Sequence, residues 1–224
     1  MYKKIILAIF TMSISLNSEK ISFISSNPFT FRDIILHLDS QENQEVYGIL
    51  EFPEENLSKE KYPLVIGIAG SLGWSEHHRE ALKLYRDLGM ATFELHSFNS
   101  RGVKSTVGEQ TKVTTAMMIL DSYKALDKLS KHPNIDGQHV ALTGWSLGGG
   151  AALLSGWTPL VEAINPIERF AAHLAYYPPC VVEPENLNFT DAPVHILIGE
   201  IDDWTPASAC ISLVEMARKF KDNI

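Results

Sequence analysis

The sequence predicts an α/β fold, with a mostly parallel central sheet flanked by helices. Residues 64–69 form a continuous apolar run, which is typical of a strand buried on both faces of a parallel sheet. After this run, short apolar strands alternate with amphipathic helices, and that order is typical of a parallel sheet within one domain. We therefore expect a single domain over residues 19–224.

The segment before this run, residues 19–62, is predicted to form strands and turns. Apolar residues cluster at 34–38 and again at 46–52, and both clusters are predicted to be strands. Pro53 and the polar residues that follow it end the second cluster.

The first helix after residue 69 is predicted over 76–88, where apolar residues recur at helical spacing. A short strand is expected at 91–95, followed by a polar, glycine-containing loop over 97–109. A long amphipathic helix is predicted over 111–130. His132 and Pro133 stop it after residue 130, because proline disfavours the helical conformation at the residue before it.

The last part of the chain continues the alternation of strands and helices. Strands are predicted at 140–143, 170–177 and 194–199, and helices from near Ser146 and over 206–221. The carboxyl ends of parallel strands meet at one edge of the sheet, where open α/β sheets place their functional sites.

Charge and cysteine content exclude several functional classes. The chain has 224 residues and a net charge of −8, with no stripe of Lys and Arg. Such a surface does not attract a phosphate backbone, so we expect no nucleic-acid partner. Cys180 and Cys210 are too few for a disulfide-built scaffold or a four-cysteine zinc site. They are expected either to form one disulfide or to remain buried thiols.

Residues 1–18 are predicted to be a signal peptide. Lys3 and Lys4 precede a mostly apolar stretch over 5–16, which is long enough for export but shorter than the about 20 residues of a transmembrane helix. We therefore expect an exported protein, periplasmic or extracellular, with no membrane span after cleavage. The alternative is a cytoplasmic protein in which these residues form a first strand or an arm.

The motif Gly144-Trp-Ser146-Leu-Gly148 lies between a predicted strand and a predicted helix. In that context it is typical of a nucleophile elbow, a sharp turn that exposes a serine hydroxyl at the sheet edge. Side chains two residues to either side would collide in such a turn, which explains both glycines. We predict Ser146 as the nucleophile and the N–H of Leu147 as an oxyanion donor. The alternative is a glycine-rich turn with a capping serine.

A serine nucleophile needs a histidine base and an acid that orients the histidine. In chains with this elbow the acid follows a later strand. Asp202 follows the strand predicted at 194–199, and we choose it over Asp203 because it lies just past the strand end. The alternative is an ordinary acidic loop in which the carboxylate has a capping role.

The loop after residues 64–69 is predicted to supply the second oxyanion donor. Gly70 and Gly73 let the backbone approach a substrate carbonyl, and the N–H of Ser71 is the candidate donor. The loop has no Gly-Lys-Ser/Thr and no complete GxGxxG, so it is not expected to hold a phosphate.

With these motifs, the chain resembles the dienelactone hydrolase family of α/β-hydrolases over about residues 45–221. The resemblance rests on the glycine loop after residue 69, on Ser-Phe-Asn-Ser-Arg-Gly at 97–102, on the elbow, and on Gly-Glu-Ile-Asp-Asp-Trp-Thr-Pro at 199–206. It implies an α/β-hydrolase fold and cleavage of a carboxylic ester or lactone through an acyl-enzyme, with no cofactor and no metal. Dienelactone hydrolases proper use cysteine where this chain has Ser146, so a dienelactone substrate is not implied.

The family's catalytic histidine lies beyond a further strand after the acid, and no histidine follows Asp202 here. The resemblance therefore predicts that the final strand and its histidine loop are missing and that the domain is incomplete at its C-terminus. We expect very weak esterase activity or none, because loss of a triad member costs several orders of magnitude in rate. His77, His78 and His96 are expected near the catalytic edge as surface or pocket-lining residues.

Two further residues are candidates for substrate binding. Arg101 is predicted either to orient a substrate carboxylate or to form a structural salt bridge. Trp145, with Trp74 and Trp204, is predicted to line an apolar acyl pocket, although aromatic residues also serve as core. The alternative to an enzyme is a noncatalytic protein of the same fold that binds a small molecule or partner through the same cleft.

Overall fold

The computed structural model describes most of the chain, namely residues 18–54, 60–182, 184, 186–219 and 224. The predicted signal peptide lies outside the described residues, except for Ser18, which is the first residue of a strand. In the described part of the chain, no helix is both long enough and apolar enough to cross a bilayer.

Within the part of the chain that the structure describes, seven strands form one mixed sheet. They are β1 (Ser18–Ser26), β2 (Asn43–Glu51), β3 (Tyr62–Ile68), β4 (Ala91–Leu95), β5 (Ile135–Trp145), β6 (Ala172–Tyr176) and β7 (Val194–Leu197). Their spatial order is β1-β2-β4-β3-β5-β6-β7. β2 pairs with β1 and with β4 in antiparallel register, whereas the pairs from β4 to β7 are parallel. The predicted mostly parallel sheet is therefore confirmed.

Six α-helices flank this sheet among the described residues. They are α1 (Phe31–His37), α2 (Glu76–Asp87), α3 (Thr115–Leu129), α4 (Leu147–Leu154), α5 (Thr158–Ile164) and α6 (Ala207–Ala217). α3 is apolar over most of its surface because it packs against β1, β5 and α4. Its start is capped by Thr114, whose side chain accepts a hydrogen bond from the N–H of Met117.

The core lies on both faces of the central strands. All five residues of β4 are buried, and in β3 only the second residue is partly exposed. Helices cover the two faces, so these strands carry apolar side chains without alternation, as the sequence predicted for residues 64–69. This rigid centre holds the carboxyl ends of β3, β5 and β6 side by side.

The strand predicted at 34–38 is wrong, because these residues lie mainly in α1. The side chain of Thr30 accepts a hydrogen bond from the N–H of Asp33, and the Asp33 carboxylate accepts from the N–H of Thr30. This capping box starts a helix, which buries Ile34 and leaves Leu36 more than half exposed. The short helix α5 was not predicted at all.

A disulfide between Cys180 and Cys210 joins the loop after β6 to α6, which is one of the two predicted alternatives. Between them along the chain lies β7, the outermost strand of the sheet on this side in the described part of the chain. Leu197, at its end, is 48% exposed. The disulfide therefore fixes an edge element to the centre of the fold.

Candidate active site

Ser146 lies at the turn between β5 and α4 with φ 53° and ψ −117°. Positive φ is unfavourable for a residue with a Cβ and costs about 1–3 kcal/mol. Two main-chain hydrogen bonds hold the turn. The N–H of Ser146 donates to the carbonyl of Tyr176 (3.0 Å), and its own carbonyl accepts from the N–H of Gly150 (2.9 Å). Such local strain, between a strand and a helix, is typical of a nucleophile elbow.

The two glycines of the motif lie where the backbone leaves no space for a side chain. A Cβ at Gly144 would lie 2.1 Å from the carbonyl oxygen of Gly148. A Cβ at Gly148 would lie 2.3 Å from the carbonyl oxygen of Ile68 at the end of β3. The close approach of β5, α4 and β3 therefore requires glycine at both positions.

The first predicted oxyanion donor, the N–H of Leu147, is at the first position of α4. The first N–H groups of a helix have no carbonyl partner within it, and the helix dipole adds partial positive charge at this end. Since Leu147 directly follows Ser146, its N–H lies beside the nucleophile. It is placed to stabilise negative charge on an oxygen bound there.

The second predicted donor, Ser71, lies in a tight turn after β3. A Cβ at Gly70 would lie 3.4 Å from the Cβ of Ser146, so this turn contacts the elbow. The carbonyl of Ser71 accepts a hydrogen bond from the N–H of Thr106 (2.8 Å), which fixes the turn. The structure thus brings the Ser71 turn, Ser146 and Leu147 together.

Asp202 follows β7 at the same edge of the sheet. Its Oδ1 accepts from the N–H groups of Trp204 (3.0 Å) and Thr205 (2.8 Å), and its Oδ2 accepts from the Thr205 hydroxyl (3.0 Å). These hydrogen bonds, that of the Thr205 N–H first, hold the pKa of Asp202 below its usual value. The carboxylate is therefore ionised at neutral pH and held within its own loop, but it does not cap α6, which starts after Pro206 with no side-chain hydrogen bond at its cap.

None of the eight histidines has a hydrogen bond to Ser146 or Asp202, and all eight lie in the part of the chain that the structure describes. His77 and His78 begin α2, the helix after the Ser71 turn. Within the described residues, no imidazole therefore links the candidate nucleophile to the candidate acid.

Two of the histidines predicted near the catalytic edge are held by other partners. The ring of His96 lies between Oε1 of Glu94 (3.1 Å) and Oδ1 of Asn99 (3.1 Å). His78 is buried, and its pKa is lowered to about 4, mainly by that burial and further by neighbouring positive charge. Its neutral ring packs against Trp145, with the ring centres 4.7 Å apart.

Arg101 forms the structural salt bridge that was one of its two predicted roles. Its side chain is 6% exposed and contacts Asp121 at 2.7 and 3.1 Å. The other donors bind Oδ1 of Asn27 (2.7 Å) and the carbonyls of Ser97 and Ser26 (both 3.0 Å). All five guanidinium N–H groups are therefore used inside the protein, and none remains for a substrate carboxylate.

Trp145 does not line an open acyl pocket, because it is only 3% exposed. Its ring stacks on Tyr176, with the ring centres 5.6 Å apart, and also packs against Trp74. Trp204, predicted for the same pocket, is 87% exposed. Trp145 therefore supports the elbow from the core, as the alternative for this residue expects.

The sequence analysis missed Tyr177, which directly follows β6. Its φ is 37°, one of three positive values among the described non-glycine residues, and Ser146 has another. Its N–H donates to the carbonyl of Leu197, and its hydroxyl lies 3.4 Å from Nε2 of His77. A tyrosine before Pro178, at the end of the strand beside that of the nucleophile, is the pattern that could have identified it.

Solved structures of known hydrolases share this fold. A dienelactone hydrolase from Anabaena variabilis matches with a TM-score of 0.60 and 18% identity, over 89% of this chain and 81% of its own. Esterase 2 from Thermogutta terrifontis matches with a TM-score of 0.59 and 15% identity, over 80% and 76%. A dienelactone hydrolase-like promiscuous phosphotriesterase from metagenomic libraries matches with a TM-score of 0.57 and 18% identity, over 89% and 78%.

Neither the protein-family models nor the curated proteins compared with the chain gave a match. At identities below 25%, the structural likeness bears on the fold alone. It confirms the predicted α/β-hydrolase fold and its resemblance to dienelactone hydrolases at that level.

Proposed function

We propose that this chain, which has the α/β-hydrolase fold, is a serine hydrolase of the dienelactone hydrolase family that acts on a carboxylic ester or lactone. The observation that carries the proposal is the strained backbone of Ser146, with φ 53° at a strand-to-helix turn beside a glycine loop. A serine held in this way has its hydroxyl exposed where a carbonyl can approach it.

In the proposed reaction, the Ser146 oxygen attacks the carbonyl carbon of the substrate. The N–H groups of Leu147 and Ser71 donate hydrogen bonds to the carbonyl oxygen and stabilise the negative charge that develops on it. The bond to the leaving oxygen then breaks, and an acyl group remains on Ser146. Water cleaves this acyl-enzyme in the second half of the reaction. The residues named here require no cofactor.

The proposed acid is Asp202, and its ionised state supports that role. The missing element is a bonded imidazole, since no histidine forms a hydrogen bond with Ser146 within the described residues. A serine hydrolase without its histidine keeps only the rate enhancement from its oxyanion donors and substrate binding. We therefore expect the 224-residue chain to acylate slowly and to turn over weakly or not at all.

The test is covalent labelling of the whole chain with a fluorophosphonate, followed by peptide mass analysis. We expect slow labelling at Ser146, none in Ser146→Ala, and wild-type labelling in the control Ser130→Ala, at the end of α3. Labelling at another serine would contradict the assignment of the nucleophile. A rapid burst of p-nitrophenol from a short-chain ester, abolished in Ser146→Ala, would contradict the expected weak activity.

A second candidate function is that of a noncatalytic binding protein, and the absence of a hydrogen bond between Ser146 and any described histidine favours it. In that case the cleft would bind a small molecule or partner without covalent chemistry. Folded chain that remains unlabelled at Ser146 after prolonged exposure to the fluorophosphonate would support this second candidate and contradict the first.

We also propose that the protein is exported. The arrangement of Lys3 and Lys4 before the apolar residues 5–16 supports this location. The disulfide between Cys180 and Cys210 supports it independently, because disulfides persist mainly in oxidising compartments. Determination of the N-terminal residue of the protein purified from its source tests the proposal. A cytoplasmic protein that keeps its first residues would contradict it.

A further inference from the structure

A hydrogen-bonding contact between His77 and Tyr177 crosses the end of β5, where Ser146 lies. In the sheet order, β5 lies between β3 and β6. His77 is in the first turn of α2, which follows the β3 loop, and Tyr177 follows β6. The Tyr177 hydroxyl lies 3.4 Å from Nε2 of His77. Groups from both sides of β5 therefore meet beside the nucleophile.

The backbone holds Tyr177 in an unfavourable conformation at this point. Its φ of 37° is exceptional for a bulky side chain and costs of the order of 1–3 kcal/mol. The hydrogen bond from its N–H to the carbonyl of Leu197 (2.6 Å) holds it there. The preceding carbonyl, that of Tyr176, accepts the N–H of Ser146. Two strained residues thus lie at the ends of adjacent strands, and such strain clusters at functional sites.

Each ring nitrogen of His77 has one hydrogen-bonding neighbour, and the tautomer of His77 sets the direction of both hydrogen bonds. Ser75 Oγ accepts from the main-chain N–H of His78 and lies 2.9 Å from Nδ1 of His77. Nδ1 of His78 accepts from the N–H of Ser75 (3.3 Å) and also lies 3.1 Å from Ser75 Oγ, so the Ser75 hydroxyl has two imidazole acceptors, of which His77 is the nearer. We assign the tautomer in which Nδ1 of His77 accepts from Ser75, so that neutral His77 carries its proton on Nε2 and donates it to the oxygen of Tyr177. The phenolic proton of Tyr177 is then free for a further acceptor.

We propose that Tyr177 is a substrate-contacting residue that donates a hydrogen bond to the leaving-group oxygen of the ester, and that His77 positions its hydroxyl. The inference rests on the proposed function. Ser71 supplies its oxyanion N–H from the β3 side of Ser146. Tyr177 lies on the opposite, β6 side of Ser146, which is the side that we assign to the leaving group. The guanidinium of Arg101 is bonded within the protein, so Arg101 offers no cation to a charged substrate.

The electron and proton balance is simple. The bond from Ser146 Oγ to the carbonyl carbon forms, and the hydroxyl proton of Ser146 passes to water. The bond from carbon to the leaving oxygen breaks, and its electron pair stays on that oxygen, which later takes a proton from water. Tyr177 keeps its proton throughout. Burial, and to a lesser degree the charge of Asp202, raise the pKa of Tyr177, so it remains a donor at neutral pH.

The test measures the rate of acetylation of Ser146 by intact-protein mass, using the full chain with phenyl acetate and with p-nitrophenyl acetate. Phenoxide is a more basic leaving group than p-nitrophenoxide, so a hydrogen-bond donor stabilises its departure more. We expect Tyr177→Phe to slow acetylation about tenfold with phenyl acetate and at most about threefold with p-nitrophenyl acetate, since one hydrogen bond is worth about that factor. If Tyr177→Phe slows acetylation by the same factor with both esters, the substitution has caused a structural defect and the inference is contradicted.

Variants of His77 provide a second, independent test. His77→Leu removes the donor to Tyr177 and is expected to match Tyr177→Phe, whereas His77→Gln keeps an N–H donor and should recover most of the rate. Tyr47→Phe and His139→Leu are the controls and should react like the wild type, and thermal melts check that each variant folds. If His77→Gln is as slow as His77→Leu and slower than Tyr177→Phe, His77 is itself the base and the inference is wrong.

The outcome also separates this inference from the proposed function. If the wild-type chain is never acetylated at Ser146, the proposed function fails, and the role of Tyr177 fails with it. If the wild type is acetylated and Tyr177→Phe reacts as fast as the wild type with each of the two esters, only the role of Tyr177 is contradicted.

Discussion

The main-chain N–H of Ser146 donates to the carbonyl of Tyr176 at 3.0 Å, so the nucleophile turn is hydrogen-bonded to the end of the neighbouring strand. β6 therefore supports the strained residue directly. The same strand ends in Tyr177, whose own positive φ follows at the next position. The candidate nucleophile and the tyrosine beside it form one continuous backbone arrangement, and changes at either residue are expected to affect the other.

Relief of strain at Ser146 should stabilise the protein. Ser146→Gly removes the Cβ that makes φ 53° unfavourable, whereas Ser146→Ala keeps it. Both variants lose the hydroxyl. We expect the free energy of unfolding of Ser146→Gly to exceed that of Ser146→Ala by about 1 kcal/mol, measured by urea denaturation. Glycine also gains entropy in the unfolded chain, which reduces the difference. A less stable Ser146→Gly would show that the turn is not strained.

Loss of one partner of the buried Arg101–Asp121 pair should be strongly destabilising. Arg101→Met leaves an unpaired carboxylate that is fully buried in the native structure. We expect a decrease of about 3–5 kcal/mol in the free energy of unfolding. The double variant Arg101→Met/Asp121→Leu should lose less than the sum of the two single variants. If Arg101→Met instead kept its stability and slowed only the reaction of a carboxylate-bearing ester, Arg101 would bind substrate.

Removal of the disulfide should lower the free energy of unfolding, because the unfolded chain gains conformational freedom without the cross-link. Cys180 and Cys210 are 30 residues apart in sequence and both are buried. Closing a loop of this length predicts about 3–4 kcal/mol of stabilisation in the chain-entropy account. The variant Cys180→Ser/Cys210→Ser should therefore unfold at lower urea than the oxidised wild type. Equal midpoints for the two proteins would contradict the prediction.

Mild acidification should destabilise the fold. Burial is the main cause that lowers the pKa of His78 and of His173 to about 4 from 6.5. Below about pH 6.5 these two histidines become protonated in the unfolded chain, whereas in the native state they stay neutral until about pH 4. The free energy of unfolding therefore falls as the pH falls across this window. The slope is at most about 1.4 kcal/mol per pH unit for each histidine. His173→Gln should roughly halve this slope, measured by urea denaturation at several pH values. An unchanged slope would show that His173 does not contribute to the pH dependence.

Much of the fold and the centre of the candidate site could be predicted because they depend on local patterns. The apolar run of β3 and the two glycines around Ser146 each reflect a constraint visible within a few residues. The position of Asp202 could be predicted for the same reason, since it lies in the loop that follows β7. The helix α1 was not predicted because a short apolar run is compatible with either a strand or a helix. The capping box at Thr30 favours the helix.

The role of Arg101 could not be settled from sequence because its partners come from distant segments. Asn27 is 74 positions away and Asp121 is 20 positions away, and only the folded sheet brings them to one guanidinium. The same is true of Tyr177 and His77, which are 100 positions apart. The burial of Trp145 likewise follows from the packing of α2 against the sheet.

The bond between Cys180 and Cys210 has a consequence for cleavage of the chain. It encloses β7 and the Asp202 loop in a covalent ring. A protease that cuts an exposed peptide in this ring, such as one beside Ile201, would leave both fragments attached to each other. The nicked protein would migrate as a single species until a reductant separated it into two pieces.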